Sequence, residues 1–361
     1  MSETMSQVQT DPVAPSPDPL KVPARQFISA DRILKTLATC SALMIILMLA
    51  GLVIVLTIAS VPSIKAFGLS FITTSEWRPN ELEQPKRDAN GKILTDEDGE
   101  QITQTLPPVF GALPVIYGTV ASSVIALFLA VPLSLGASIF LVRIARPLLA
   151  IPISFLIEFL AAIPSIAYGL WGLFVLCPFL QQHIEPNLNS LFAKLPGLAT
   201  LALSTGGVTG RDLFAGGIIL GIMIVPIITA ISRDVLRSVP SPQLEGTIAL
   251  GATWWQSSKE MLKFSRSGLF GAAMLGLARA AGETMAVTMV IGNSNQIKAS
   301  PFAPAQTMSS LLANEFGDPS NEMHRAALTE VALVLLVMSL LFNIVARYLV
   351  VGGKSRTAVA H

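Results

Sequence analysis

The sequence predicts an all-α, polytopic membrane protein with six transmembrane helices. Of its 361 residues, 52% are hydrophobic and only 13% charged, where a soluble domain carries about a quarter charged residues. Six stretches stay mostly apolar over the ~20 residues that a helix needs to cross the hydrocarbon core. Lys and Arg collect in alternate links between those stretches, as orientation in a membrane requires.

The chain opens on a polar tail, 1–33, that holds Pro12, Pro15, Pro17 and Pro19 and is expected to be disordered. The first span occupies 34–61, with its clearest apolar run over 36–61. That run is too long, and its leading tail too extended, for a cleaved signal peptide. A long acidic loop follows at 62–112, with Glu76, Glu81, Glu83, Asp88, Asp96, Glu97, Asp98 and Glu100. Asn90-Gly91 and Asp98-Gly99 are turn signals, and 92–95 between them fits one strand of a small hairpin. A solvated loop without a partner is the alternative.

The other five spans fall at 113–142, 148–180, 213–231, 269–291 and 328–351, within a transmembrane domain covering 113–352. The second and third are longer than a bilayer requires, which implies tilt or a start outside it. Pro164 is expected to kink the third and to free backbone carbonyls there. Lys21, Arg25, Arg32 and Lys35 precede the first span, and Arg143 and Arg146 link the second to the third. Arg233, Arg237, Lys259, Lys263 and Arg266 lie between the fourth and fifth, and Arg347, Lys354 and Arg356 close the chain. With six spans these share one side, which places both termini and the 353–361 tail in the cytoplasm.

Several functions are excluded or left without support. A net charge of +1 gives no reason to expect nucleic acid. Cys40 and Cys177 are too few for a disulfide framework or a metal site and are expected as small buried hydrophobes. His183, His324 and His361 are scattered, and the sequence places them outside the apolar core, so no metal site is expected. Gly353-Lys354-Ser355 imitates the end of a phosphate-binding loop, but Tyr348 stands where the motif needs its first Gly. No catalytic triad is visible, and the chain is expected to be no enzyme.

Two segments carry chemistry. The cytoplasmic link at about 236–266 contains Glu245-Gly246-Thr247-Ile248-Ala249-Leu250-Gly251-Ala252-Thr253-Trp254-Trp255. Pro240 and Pro242 end the preceding helix, and Leu244, Ile248, Leu250 and Ala252 suit a short amphipathic helix interrupted or ended by Gly251. One exposed apolar face of that kind fits a groove on a cytosolic protein. Trp254 and Trp255 are open to two roles, a contact with that protein or anchoring at the membrane face.

The second segment, 277–288, places Arg279 and Glu283 inside an otherwise apolar span. Central charges cost at least ~3 kcal/mol each and face a bundle interior or an aqueous cavity. Four apart on one continuous helix, the two share a face and can pair. The forked guanidinium of Arg suits a phosphate-like oxyanion. Glu283 then holds Arg279 when the site is empty, or accepts the proton of a monoprotonated phosphate. An ion pair that only locks two helices is the alternative. Thr284, Thr288 and Glu158 are further candidates for the pathway, Glu158 more readily as a structural group.

Glu245, Gly246, Thr247 and Gly251 resemble the "EAA" coupling loop of type I ABC importer permeases. Gly246 and Thr247 replace the usual alanines, and Met261, Lys263 and Phe264 stand where that family continues with Ile-x-Leu-Pro. Residues 276–293, with Arg279-Ala280-Ala281-Gly282-Glu283-Thr284-Met285-Ala286-Val287-Thr288 and Ile291-Gly292-Asn293, resemble the PstC family of phosphate permeases, as do 163–172 and 306–316.

The resemblance implies a type I ABC importer permease fold and phosphate import across a bacterial inner membrane. It further implies a heterodimer with a PstA-like permease, two PstB-like ATPase subunits that bind the ATP, and a periplasmic PstS-like phosphate-binding protein. No cofactor is expected in this chain itself. A permease for another oxyanion, an ion-coupled secondary transporter using Arg279 and Glu283 as a relay, and a non-transporting scaffold are the competing expectations.

Overall fold

The computed structural model describes residues 24–85, 103–195, 197, 199–202 and 208–355. The strand expected at 92–95, most of the N-terminal tail and His361 lie outside these residues. The chain forms two compact units, residues 1–55 and 56–361.

Helix α1 (Ala24–Phe67) starts well before the expected first span, so residues 24–33 of the supposed disordered tail are helical. From Asp31 to Val55 nearly every side chain is exposed, including Leu43, Ile45, Leu47 and Leu49. An uncovered apolar helix of this length fits lipid. Cys40 lies on it and is exposed, against the expectation of a buried site, while Cys177 is buried.

In the second unit, α2 (Ser70–Thr73) and four short strands follow: β1 (Trp77–Arg78), β2 (Leu82–Pro85), β3 (Thr103–Leu106) and β4 (Val109–Phe110). β1 pairs with β4 and β2 with β3, both antiparallel. The ends of the acidic loop are therefore anchored. Phe71, Trp77 and Phe110 pack with Met308, Leu311, Leu328 and Val331 in one buried cluster.

The helices are α3 (Leu113–Ile144), α4 (Pro147–Ala161), α5 (Ser165–Lys194) and α6 (Leu213–Arg237). After them come α7 (Ser241–Ala249), α8 (Trp254–Phe264), α9 (Arg266–Ala281), α10 (Met285–Val290), α11 (Met308–Glu315) and α12 (Glu322–Ser355). The main core joins α3, α6 and α9 through Ala126, Ala130, Leu220, Ile224, Ile228 and Ala272. Gly217 lets α3 and α6 approach closely, since a Cβ there would fall 2.4 Å from Ile125.

Among the described residues, α1, α3, α6 and α12 are each long and apolar enough to cross a membrane. Two expected spans are broken. The third bends by 89° between α4 and α5, far more than a kink. Pro164 supplies no N–H and clashes with the carbonyl one turn back. That carbonyl, on Leu160, accepts the Ile163 N–H at 3.3 Å and the Tyr168 hydroxyl at 2.9 Å. The 269–291 span is divided at Gly282–Thr284 into α9 and α10, so the even row of six continuous helices is not what forms. Gly353–Ser355 continue α12 as helix, with no loop for a nucleotide phosphate.

Candidate functional site

The break between α9 and α10 lies inside the apolar 269–291 stretch. Gly282 caps α9 at φ −94° and ψ −1°, and Thr284 caps α10 at φ −110° and ψ −66°. The Glu283 N–H reaches back to the Ala280 carbonyl at 3.2 Å, a tighter turn than an α-helix makes. The Glu283 carbonyl, which a continuous helix would offer to the Val287 N–H, instead accepts the Ser309 hydroxyl from α11 at 2.6 Å.

This break separates the two charges that were expected to share a face. Arg279 is exposed, Glu283 is 9% exposed, and no ion pair joins them. Neither side chain makes a hydrogen bond or ion pair among the described residues. The expected Arg279–Glu283 pair is corrected accordingly: an i, i+4 pair needs unbroken helix between its members, and residues 282–284 are not helix. Thr288 Oγ1 donates to the Thr284 carbonyl at 2.7 Å, and Thr284 Oγ1 to the Gly282 carbonyl at 3.4 Å. Both hydroxyls serve the backbone of the break.

Glu158 on α4 is not part of this constellation. Its Oε1 accepts Nη2 of Arg233 on α6 at 3.0 Å, and Arg233 Nε donates to Asp234 at 2.9 Å. Arg233 is largely buried and Glu158 exposed. This pair ties α4 to α6 and fits the structural role.

The 236–266 link forms the short helix expected of it. α7 starts after Pro240 and ends at Ala249, and Gly251 follows with φ +82°. α8 then opens with a capping box in which Thr253 and Gln256 exchange side-chain and backbone hydrogen bonds. Thr247 Oγ1 bonds Ser257 at 3.3 Å, and Arg143 Nη2 reaches the same Ser257 hydroxyl at 3.2 Å, which joins the link to the end of α3. Glu245 and Gly246 are exposed, as are Ile248, Leu250, Trp254 and Trp255. Beside them Leu244, Thr247, Met261 and Phe264 help line a groove of about 520 Å³. An exposed apolar ridge next to a groove can seat a partner.

Three features escaped the sequence reading. Ser309 carries no charge and no motif of its own. His324 was placed outside the core but is 2% exposed, stacked on Phe110 at 5.6 Å. Its Nδ1 accepts the Ser320 N–H at 3.1 Å, and its Nε2 bonds Glu315, which also accepts the Trp77 indole N–H. Ser320 and Glu315 lie near His324 in sequence, but Phe110 and Trp77 cover it from the distant first loop, which no local pattern marks.

The third feature is a pair of fully buried carboxyls, Glu185 and Asp212. Asp212 caps α6 by accepting the Ala215 N–H at 2.9 Å, and Glu185 accepts the Gly210 N–H at 3.1 Å. Glu185 Oε1 and Asp212 Oδ2 are buried with no hydrogen-bond partner among the described residues. Burial pushes the Asp212 carboxyl up to about 6. An Asp directly ahead of an apolar run was a legible cap signal; Glu185 had none.

The family described as binding-protein-dependent transport system inner membrane component matches residues 130–351. The phosphate transport system permease protein PstC of Mesorhizobium japonicum is 39% identical over 334 residues, covering 92% of this chain and 94% of its own length. That of Haemophilus influenzae is 41% identical over 310 residues, 86% of this chain and 89% of its own. A probable PstC of Methanocaldococcus jannaschii is 33% identical over 290 residues, 80% and 84% respectively.

Proposed function

This chain belongs to the PstC family of binding-protein-dependent inner membrane permeases, and from that membership we propose that it imports inorganic phosphate as one permease subunit of an ATP-driven transporter. Arg279 is the observation that carries the substrate assignment. It is a guanidinium in an apolar segment, exposed on its own chain and without a carboxylate partner among the described residues. Such a group offers forked donors to an oxyanion. Glu283 sits one turn away in sequence, nine-tenths buried and unpaired. In this role its carboxylate accepts the proton of monoprotonated phosphate and disfavours sulfate, which has none to give near neutral pH.

The pathway runs between this chain and a PstA-like permease as a heterodimer, with Arg279 facing that junction. Thr284 and Thr288 shape the break beside it, and Glu158 contributes through Arg233 rather than by touching the ion. A PstS-like periplasmic protein delivers phosphate. Two PstB-like subunits bind and hydrolyse the ATP, and this chain holds no cofactor. One of them seats on the coupling loop of Glu245, Gly246, Thr247 and Gly251, whose exposed Ile248 and Leu250 supply apolar contact. ATPase closure moves these loops and switches access by rigid-body motion. Both termini are cytoplasmic.

The test is uptake of labelled phosphate and sulfate by the purified four-component transporter in liposomes. Wild type is expected to take up phosphate in an ATP-dependent manner and to exclude sulfate. Arg279→Ala is expected to lower phosphate uptake by about tenfold or more, the scale of one charge-assisted contact, with the complex still co-purifying. Normal uptake by Arg279→Ala sinks the site assignment. Sulfate import without phosphate import reassigns the substrate, and transport by this chain alone without ATP points to the ion-coupled class.

A further inference from the structure

Ser309 lies on α11, remote in sequence from the charged segment, and is 4% exposed. Its hydroxyl donates to the Glu283 carbonyl at 2.6 Å. Thr307 Oγ1 lies 3.2 Å from Ser309 Oγ. With the Ser309 proton already committed to Glu283, Thr307 must be the donor between them. Thr307 Oγ1 in turn accepts the Ser310 N–H at 3.1 Å. The result is a short chain of hydroxyls ending on the backbone of the break, in which each bond polarises the next.

The base of this chain is fixed. Thr307 and Ser310 form the capping box that starts α11. The Met308 N–H donates to Thr119 Oγ1 on α3 at 2.9 Å. Gly118 permits that approach, since a Cβ there would meet the Gln306 carbonyl at 2.1 Å. Within the break the Thr284 and Thr288 hydroxyls bond only their own segment's backbone, whereas Ser309 reaches it from another helix. Gly282 does not force the break: a Cβ there would meet only the Ala278 carbonyl, at 3.6 Å, and its backbone angles are ordinary.

We propose that Ser309 is a positioning residue of the phosphate pathway: by engaging the Glu283 carbonyl, its hydroxyl keeps α9 and α10 apart and Arg279 unpaired. The proposal deepens the phosphate assignment above and rests on it. Without the hydroxyl, Val287 N–H can take the Glu283 carbonyl and the helix can run through. Arg279 and Glu283 then fall at i and i+4 of one helix, and the guanidinium is neutralised by its own chain.

Ser309→Ala, Ser309→Cys and Ser309→Thr in the full transporter test this with two readouts. The first is phosphate uptake in liposomes; the second is amide hydrogen exchange over residues 282–290 of the same preparation. Ser309→Ala is expected to lower uptake roughly fivefold, the scale of one hydrogen bond, and to slow exchange across the break as Val287 gains an acceptor. Ser309→Thr restores both. Should the alanine variant fail to assemble, Ser309→Cys, similar in size and a weak donor, is expected to show both effects in the same direction. Unchanged exchange, or faster exchange from simple fraying, overturns the proposal, as does full uptake with slowed exchange. A wild-type transporter that moves no phosphate refutes the substrate assignment instead, while the exchange readout still tests the role of Ser309 in the break.

Discussion

Arg233 and Arg279 are both guanidiniums within apolar helices, yet only Arg233 is neutralised, by Glu158 and Asp234. That contrast separates a paired charge from an unpaired one, and their spacing in the sequence did not. Glu158 and Arg233 are far apart along the chain, so nothing local marked them as partners. Glu158→Gln keeps a hydrogen-bond acceptor for Arg233 and removes one exposed charge. Because Glu158 is 55% exposed, solvent screens the pair, and the loss in stability is expected to be about 1 kcal/mol or less. Phosphate uptake in liposomes should stay within about twofold of wild type, the scale of so weak a contact. A collapse of uptake with the complex intact would place Glu158 in the pathway after all.

At the scale of elements, breaks matter as much as helices. Pro164 was legible as a kink, but not as an 89° bend whose freed Leu160 carbonyl accepts both the Ile163 N–H and the Tyr168 hydroxyl. The α7–α8 turn was the most faithfully legible element, because prolines, glycine and a capping residue encode it locally. Two glycines in it make opposite predictions. A Cβ at Gly246 meets nothing within 4 Å on a helical backbone, so Gly246→Ala should stabilise α7 by up to ~1 kcal/mol. Gly251 also has open space but sits at φ +82°, where a side chain costs about 1–2 kcal/mol. Gly251→Ala should therefore reduce phosphate-stimulated ATP turnover several-fold, as expected for ~1–2 kcal/mol of strain in a coupling turn. Equal turnover in the two variants would remove the turn from the coupling role.

Among the described residues, the first loop and the start of α6 are tied down by buried polar groups. Trp77, Glu315 and His324 join the first loop to α11 and α12. Glu185 and Asp212 fasten the start of α6 near Arg211 and Cys177. The Asp212 carboxyl is raised from 3.8 to about 6 in the fold. The folded state thus holds more protons than the unfolded one between those values. Its contribution to stability is complete below about 3.8 and is lost as pH rises through about 6. Thermal unfolding of the purified transporter, followed from about pH 4 to pH 7, should show this fall. Asp212→Asn keeps the cap, leaves Glu185 as the one buried carboxyl of the pair and should shrink the fall. An unchanged pH profile in that variant would exclude the pair as its source.

Composition and apolar run length determined that this chain is a helical membrane protein, because the cost of burying polar backbone in lipid leaves few other solutions. Local signals also determined the α7–α8 turn and the two charges of the 269–291 stretch, since prolines, glycines and ionisable residues in apolar surroundings act within a few residues of themselves. Only the tertiary structure decided that this stretch is broken and its charges separated. The deciding hydroxyl arrives from another helix, and a hydrogen bond between distant segments leaves no periodicity to read.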